Sequence, residues 1–359
     1  EFLVRTDGKT LTENGYVYNM AGKPQKELSL DKGIFQDHFN LEVLKKIIDN
    51  PKEADEFFKT YGRDNISIYD KFCYYEELLK KLKDEIKDKI RDDGYKNLHK
   101  GLPFYLLSCY AFDMRNYEKA LFYLDAAISE DIKNSENKKI CDKNYQNDPA
   151  YLFITLKEQH EASAIVKKIR SFLLKKLKDM HLINKDEELN SFIEKLIKEK
   201  TGEEGKRSII TAFYTFLLEY EDLKEQLELR SEQGGSIEPF LLHLFKGGLI
   251  MESLLKLKYK FMDNGKPIKT LGNIFNCCKV FKDDFNCTPE TSAVGLDVIL
   301  ATALSKTALE DAFSITAKLR NTTGHKLFWD DIFDDPKNYE ILFDNELKAI
   351  CYIILEKKP

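Results

Sequence analysis

The chain has 359 residues, 43% apolar and 33% charged, with a net charge of −5. That length supports two or three domains with real cores, and the aromatic content excludes wholesale disorder. No run approaches the roughly 18 apolar residues of a membrane span, and a net-acidic chain is no general electrostatic binder of nucleic acid, so any RNA contact needs a local basic patch. The seven cysteines include no paired CxxC motifs, which points to reduced, mostly buried thiols and a cytoplasmic setting. The start, Glu1-Phe2-Leu3-Val4-Arg5, has no signal-peptide pattern and no Met. It reads as a trimmed or processed chain, which leaves an upstream domain open.

Residues 1–35 carry the turn signals Asp7-Gly8 and Asn14-Gly15 beside the β-prone run Tyr16-Val17-Tyr18, and predict a small β-hairpin or ribbon. From about residue 40 the periodicity is helical, so the expected class is mainly α. Residues 36–234 read as a helical regulatory or interaction domain. Within it, residues 103–130 resemble one tetratricopeptide-type helical pair, with small residues at Ala111, Ala120 and Ala127 for close approach. No second copy follows, so a generic α-hairpin stands beside that reading. The stretch 131–149 is a polar, mobile loop in this reading.

A long amphipathic helix is expected next, with Ile165, Val166, Ile169, Leu173, Leu177 and Met180 as its apolar stripe. Its other face carries Lys167, Lys168, Arg170, Lys175, Lys176 and Lys178 with no acid among them, either a phosphate track or a solvated face. Thr201-Gly202-Glu203-Glu204-Gly205-Lys206-Arg207-Ser208 has the wrong spacing for a nucleotide-binding loop and reads as an inter-helix turn. Gly234-Gly235-Ser236 marks a domain boundary near residue 234, with Pro239 in the first turn of the helix beyond it.

Residues 235–359 predict four principal helices, at about 237–262, 271–281, 295–323 with a break near Ser305-Lys306, and 337–356. At about 100° per residue, the third places Ala308, Ala312, Ile315 and Leu319 on one apolar stripe. Leu309, Phe313, Thr316 and Arg320 fall on the next, and Glu310, Ser314, Lys318 and Asn321 on the polar side. Arg320 thus continues an apolar line, where a guanidinium is costly unless it is paired or faces an interface or pocket. Thr322, Thr323 and Gly324 weaken the helix, so the chain can turn there and bring His325 back over Arg320.

The Arg320-Asn321-Thr322-Thr323-Gly324-His325 segment, at the end of a third helix, resembles the mark of the HEPN superfamily of ribonucleases. The resemblance covers residues 235–359 and implies a helical-bundle nuclease domain. Such enzymes usually pair two motifs in a homodimer with one composite cleft. The implied chemistry needs no metal and no cofactor. The RNA 2′-hydroxyl attacks its own phosphate, giving a 2′,3′-cyclic phosphate and a 5′-hydroxyl. The resemblance implies catalytic roles for Arg320, Asn321 and His325, with Glu252 as the first-helix acid. Lys326 is a further expected backbone contact. Arg320 would neutralise the phosphate, His325 would move protons, and Asn321 would orient the phosphate, the ribose or His325.

The family context suggests a prokaryotic antiviral-defence or toxin RNase, acting on RNA under a regulatory protein or a nucleotide activator. A CRISPR-ancillary RNase would carry an α/β sensor domain, and residues 1–235 show no alternating strand–helix pattern. A nucleotidyltransferase-paired toxin is disfavoured, because Lys326-Leu327-Phe328-Trp329 offers no tyrosine. The six histidines, at 38, 99, 160, 181, 243 and 325, have no HxxxH or HxH spacing for a metal. The reading from another class is a non-catalytic helical scaffold that binds proteins.

Overall fold

The computed structural model describes residues 3–4, 11–13, 16–18, 39–60, 67–91, 93–133, 149–157, 163–198, 204–229, 236–306, 308–323 and 331–356. The fold is mainly α, with sixteen α-helices among the described residues. None of these is long and apolar enough to cross a membrane. By contacts the chain forms two compact units, Glu1–Tyr151 and Leu152–Pro359.

In the first unit, β1 (Leu3–Val4), β2 (Leu11–Glu13) and β3 (Tyr16–Tyr18) pair antiparallel in chain order. The Asp7-Gly8 and Asn14-Gly15 turns lie outside the described residues. Helix α1 (Leu41–Ile48) starts where the Asn40 side chain accepts from Val43 N at 2.8 Å. Helix α2 (Pro51–Thr60) opens on proline, whose missing N–H costs nothing in a first turn. Ser67 caps α3 (Ile68–Lys89), and a short α4 (Gly94–Asn97) follows. Helices α5 (Gly101–Asp113) and α6 (Tyr117–Lys133) form a tight hairpin, turning at Arg115 (φ 55°), with Ala111, Ala120 and Ala127 buried between them. Residues 134–148, most of the expected polar loop, lie outside the described set.

One buried cation ties this unit together. His99 lies between Asp131 of α6, 3.1 Å from Nε2, and Asp55 of α2, 3.3 Å from Nδ1. Burial by itself would lower the imidazole, but the two carboxylates outweigh it and hold His99 up at about 9. Gly101 leaves room for the clamp, since a Cβ there would crowd Asp131 Oδ1 and His99 Nε2.

Helix α7 (Pro149–Ile154) spans the division between the units. The second unit continues with α8 (Ser163–Asp179), α9 (Glu188–Ile197), α10 (Glu204–Leu229) and α11 (Glu238–Lys258). Pro239 stands in the first turn of α11. Then come α12 (Leu271–Cys277), α13 (Lys279–Phe285), α14 (Leu296–Ser305), α15 (Leu309–Thr323), a 3-10 turn (Asp331–Asp334) and α16 (Pro336–Leu355). The expected break near Ser305-Lys306 separates α14 from α15. The expected 271–281 helix is two short ones, divided at Cys278 in extended conformation.

The chain divides after Tyr151, whereas the sequence suggested a boundary near residue 234. The reason is a shared core: Phe172 of α8 and Phe216 of α10 both pack on the Phe343 ring of α16. The cationic face of α8 is mostly paired within the unit. Lys176 is buried against Asp344 at 2.6 Å and Glu340 at 3.4 Å, Lys168 pairs with Glu221, Lys178 with Asp186, and Arg170 bonds Asn190. Four of the six cations are thus committed to neighbouring groups, while Lys167 and Lys175 on the same face are exposed.

Two titratable groups sit in the centre of this core. His243 lies 2.7 Å from the Phe216 carbonyl through Nε2 and accepts from Tyr339 OH at 2.8 Å through Nδ1. Burial pushes it down to about 3, so it is a neutral structural imidazole. Glu346 is fully buried with no hydrogen-bond partner among the described residues, and burial raises it well above the usual carboxylate range.

Two outcomes follow from these groups. The His99 pKa is raised on folding, so its stabilisation is complete below pH ~6.5 and disappears as pH rises through ~9. His99→Ala should cost about 2 kcal/mol at pH 6 and little at pH 10 by thermal denaturation; equal losses at both would refute the clamp. Glu346 is also raised, so wild-type stability drains as pH climbs above the ordinary glutamate value. Glu346→Gln should therefore gain stability on wild type as pH rises from 5 to 8, and parallel curves would disprove the raised Glu346 carboxyl.

Candidate active site

Helix α15 carries Arg320 and Asn321 in its last turn. Its final residues are secured from both sides: Thr323 Oγ1 donates to the Leu319 carbonyl at 2.8 Å, and Thr322 Oγ1 to the Val294 carbonyl at 2.9 Å. His325 and Lys326 lie outside the described residues, as does the expected terminator Gly324.

The polar side of α15 does not face solvent as expected. Ser314 and Lys318 are buried. An extended strap, residues 288–294, lies along this stripe and uses every one of its members. Thr288 N donates to Glu310 at 3.0 Å, and Glu290 N to Ser314 Oγ at 2.9 Å. Lys318 pairs with Glu290 at 2.6 Å, and Asn321 Nδ2 donates to the Thr291 carbonyl at 2.6 Å. Helical periodicity shows that a stripe is polar but not what covers it. The local signal for the strap was Thr288-Pro289, because a residue before proline is driven to extended conformations.

Asn321 therefore has a definite partner set. Its amide nitrogen holds the strap, and its Oδ1 accepts from Arg320 Nη1 at 3.0 Å. On the other side, Arg320 Nε lies 3.0 Å from Glu252 Oε2 of α11. The charges pair there, but the N–H direction is not aligned for a hydrogen bond. The structure thus brings together three of the five sequence-predicted residues, Arg320, Asn321 and Glu252.

Arg320 Nη2 has no partner among the described residues, and the side chain keeps 35% of its exposure. Glu252 also pairs with Lys256 at 2.6 Å, so two cations share one carboxylate. The cluster keeps a net positive charge, with a guanidinium pinned along one edge and open on the other. That geometry suits an oxyanion such as phosphate.

Close helix approach makes the pairing possible. A Cβ on Gly248 would collide with the Cβ and Cγ of Arg320, and one on Gly247 with the Glu346 carboxyl and the Phe216 ring. The Gly247-Gly248 pair in the middle of an apolar helix was the visible but unused signal. Among the described residues, no group of three or more His, Cys, Asp and Glu side chains could hold a metal ion.

Comparisons with protein-family models, with curated proteins and with solved structures find no match for this chain. The functional reading therefore rests on the site's own residues.

Gly248→Ala should cost about 1–3 kcal/mol, because the added methyl must push α11 from α15. Ser253→Ala, on a less buried part of the same helix, serves as the control. Equal melting temperatures for the two variants would show that α11 does not need the close approach.

Proposed function

We propose that the chain is a metal-independent endoribonuclease whose site is built on Arg320, Asn321 and His325. The observation that carries this reading is the Arg320 guanidinium, held by Asn321 and Glu252 on one edge and unpartnered on the other among the described residues. Only two peptide units of chain separate Thr323 from His325, at most about 7 Å.

In this reading Arg320 takes the non-bridging phosphate oxygens and offsets the charge that builds on them in the transition state. The 2′-oxygen gives up its proton, bonds to phosphorus and expels the 5′-oxygen, which gains a proton. His325 serves as the proton carrier, since an ordinary imidazole titrates near pH 6.5. Asn321 acts as a positioning residue for Arg320, a narrower role than contact with the phosphate or ribose. Glu252 fixes Arg320 and Lys256, and Lys326 remains a proposed backbone contact. A homodimer would join two such sets in one cleft, and the proposed setting is prokaryotic defence or toxin activity.

A non-catalytic scaffold is the second reading. The commitment of Asn321 to the Thr291 carbonyl favours it, because that bond would serve a purely structural helix end equally well.

The two readings separate in one assay. Purified protein incubated with fluorescent RNA in EDTA should release fragments ending in 2′,3′-cyclic phosphate. Arg320→Ala and His325→Ala should each slow cleavage by about 100-fold or more while melting within a few degrees of wild type. Cleavage unchanged in both variants would remove the catalytic assignment, and no cleavage by wild type would favour the scaffold.

A further inference from the structure

The charge network at Arg320 extends beyond Glu252. Lys256, which shares that carboxylate, lines a groove of about 490 Å³ between α10 and α11, together with Lys246 and Lys260. Leu257 and Lys260 belong both to this groove and to a second cleft of about 510 Å³. The second cleft is lined by Lys195, Lys198, Lys206 and Lys258 around Leu254, Ile353 and Ile354. The two depressions share lining residues around the last turns of α11, and Lys256 on their wall links through Glu252 to Arg320. Among the described residues that line it, Glu356 is the single acid.

Ordinary structural duties account for part of this charge. Helices α9, α11 and α16 all end here, each with about half a negative charge at its C-terminus. Lys195 Nζ donates to the Leu355 carbonyl at 3.0 Å, Lys258 pairs with Asp284 at 3.0 Å and Glu356 at 3.4 Å, and Lys246 pairs with Glu219 at 2.7 Å. A surplus remains. Lys198 and Lys260 are exposed and have no ion-pair partner among the described residues.

We propose that this surface is the path of the RNA strand. Its phosphodiester backbone lies along Lys198, Lys260 and Lys256, and one phosphate reaches Arg320. The inference deepens the nuclease reading and rests on it for the identity of the strand. The path reads charge alone. Lysine ammonium groups are point charges without the bidentate geometry of arginine, and among the described residues no aromatic side chain lines either cleft to stack a base. Binding should therefore be indifferent to base sequence and accept DNA as well as RNA, whereas cleavage requires the 2′-hydroxyl.

The test uses the full chain and a short fluorescein-labelled 2′-O-methyl RNA, which cannot undergo the reaction. Binding is followed by anisotropy between about 50 and 200 mM salt. The double variant Lys198→Glu/Lys260→Glu changes only exposed side chains, and its fold is checked by circular dichroism. It should bind at least about tenfold more weakly, with a salt slope shallower by about 1.4, the loss of two phosphate contacts to a single strand. An unlabelled DNA strand of the same sequence should compete as well as the RNA.

Affinity and slope equal to wild type in the double variant would overturn the path, and so would a wild-type chain that binds no RNA. Failure of DNA to compete would also overturn it. Lost binding in the double variant beside a wild type that cleaves nothing would keep the path and discard the nuclease. Cleavage abolished by Arg320→Ala with binding intact in the double variant would do the reverse.

Discussion

Helix α11 can touch α15 and α16 at the same time only because it has two consecutive glycines where the three meet. Gly248 admits the stem of Arg320, and Gly247 admits the carboxyl of Glu346. Glycine in a helix interior costs about 0.5–1 kcal/mol relative to alanine, and here the cost is offset by close packing of three helices. The same contact brings Glu252, one turn beyond Gly248, against Arg320. Core packing and the candidate site are therefore one constraint, and neither can be altered without the other.

Two sets of polar groups in the second unit contrast. His243 and Glu346 are enclosed in the core, where burial pushes the imidazole down to about 3 and the carboxyl well above its usual range. Arg320 and Lys256 are partly open to solvent at the edge of the same bundle and share the buried Glu252 carboxylate. Histidine alone would have been a poor guide to function here, since the described histidine in the bundle core is held by Phe216 and Tyr339 and has no free nitrogen. Exposure and charge balance, not residue type, set the candidate cluster apart.

Much of the fold was legible along the chain. The last helix, expected at about 337–356, runs Pro336–Leu355, and the expected Ser305-Lys306 break separates two helices. These signals are local and act within a turn or two. The two features that mattered most for the site are not local. The strap lies about thirty residues before Asn321 in sequence, and Lys176 of α8 finds its acids on α16 more than 160 positions away. Period and propensity describe one helix at a time and carry no information on which distant segment neutralises a face. Arg320 was legible for a physical reason: a cation continuing an apolar line needs a partner, and Glu252 is that partner.

The strap also has its own rule of substitution. It contributes mainly backbone groups to α15, and they are not of one kind. Thr288 and Glu290 each give an N–H, whereas Thr291 gives a carbonyl. Proline has no N–H to give, and the single proline of the strap, Pro289, stands between the two donors where none is used. Positions 288 and 290 are closed to proline, while position 291 can change its side chain freely without disturbing Asn321. Apart from the Glu290 carboxylate that holds Lys318, constraint in this segment lies in the backbone and not in the chemistry of the side chains.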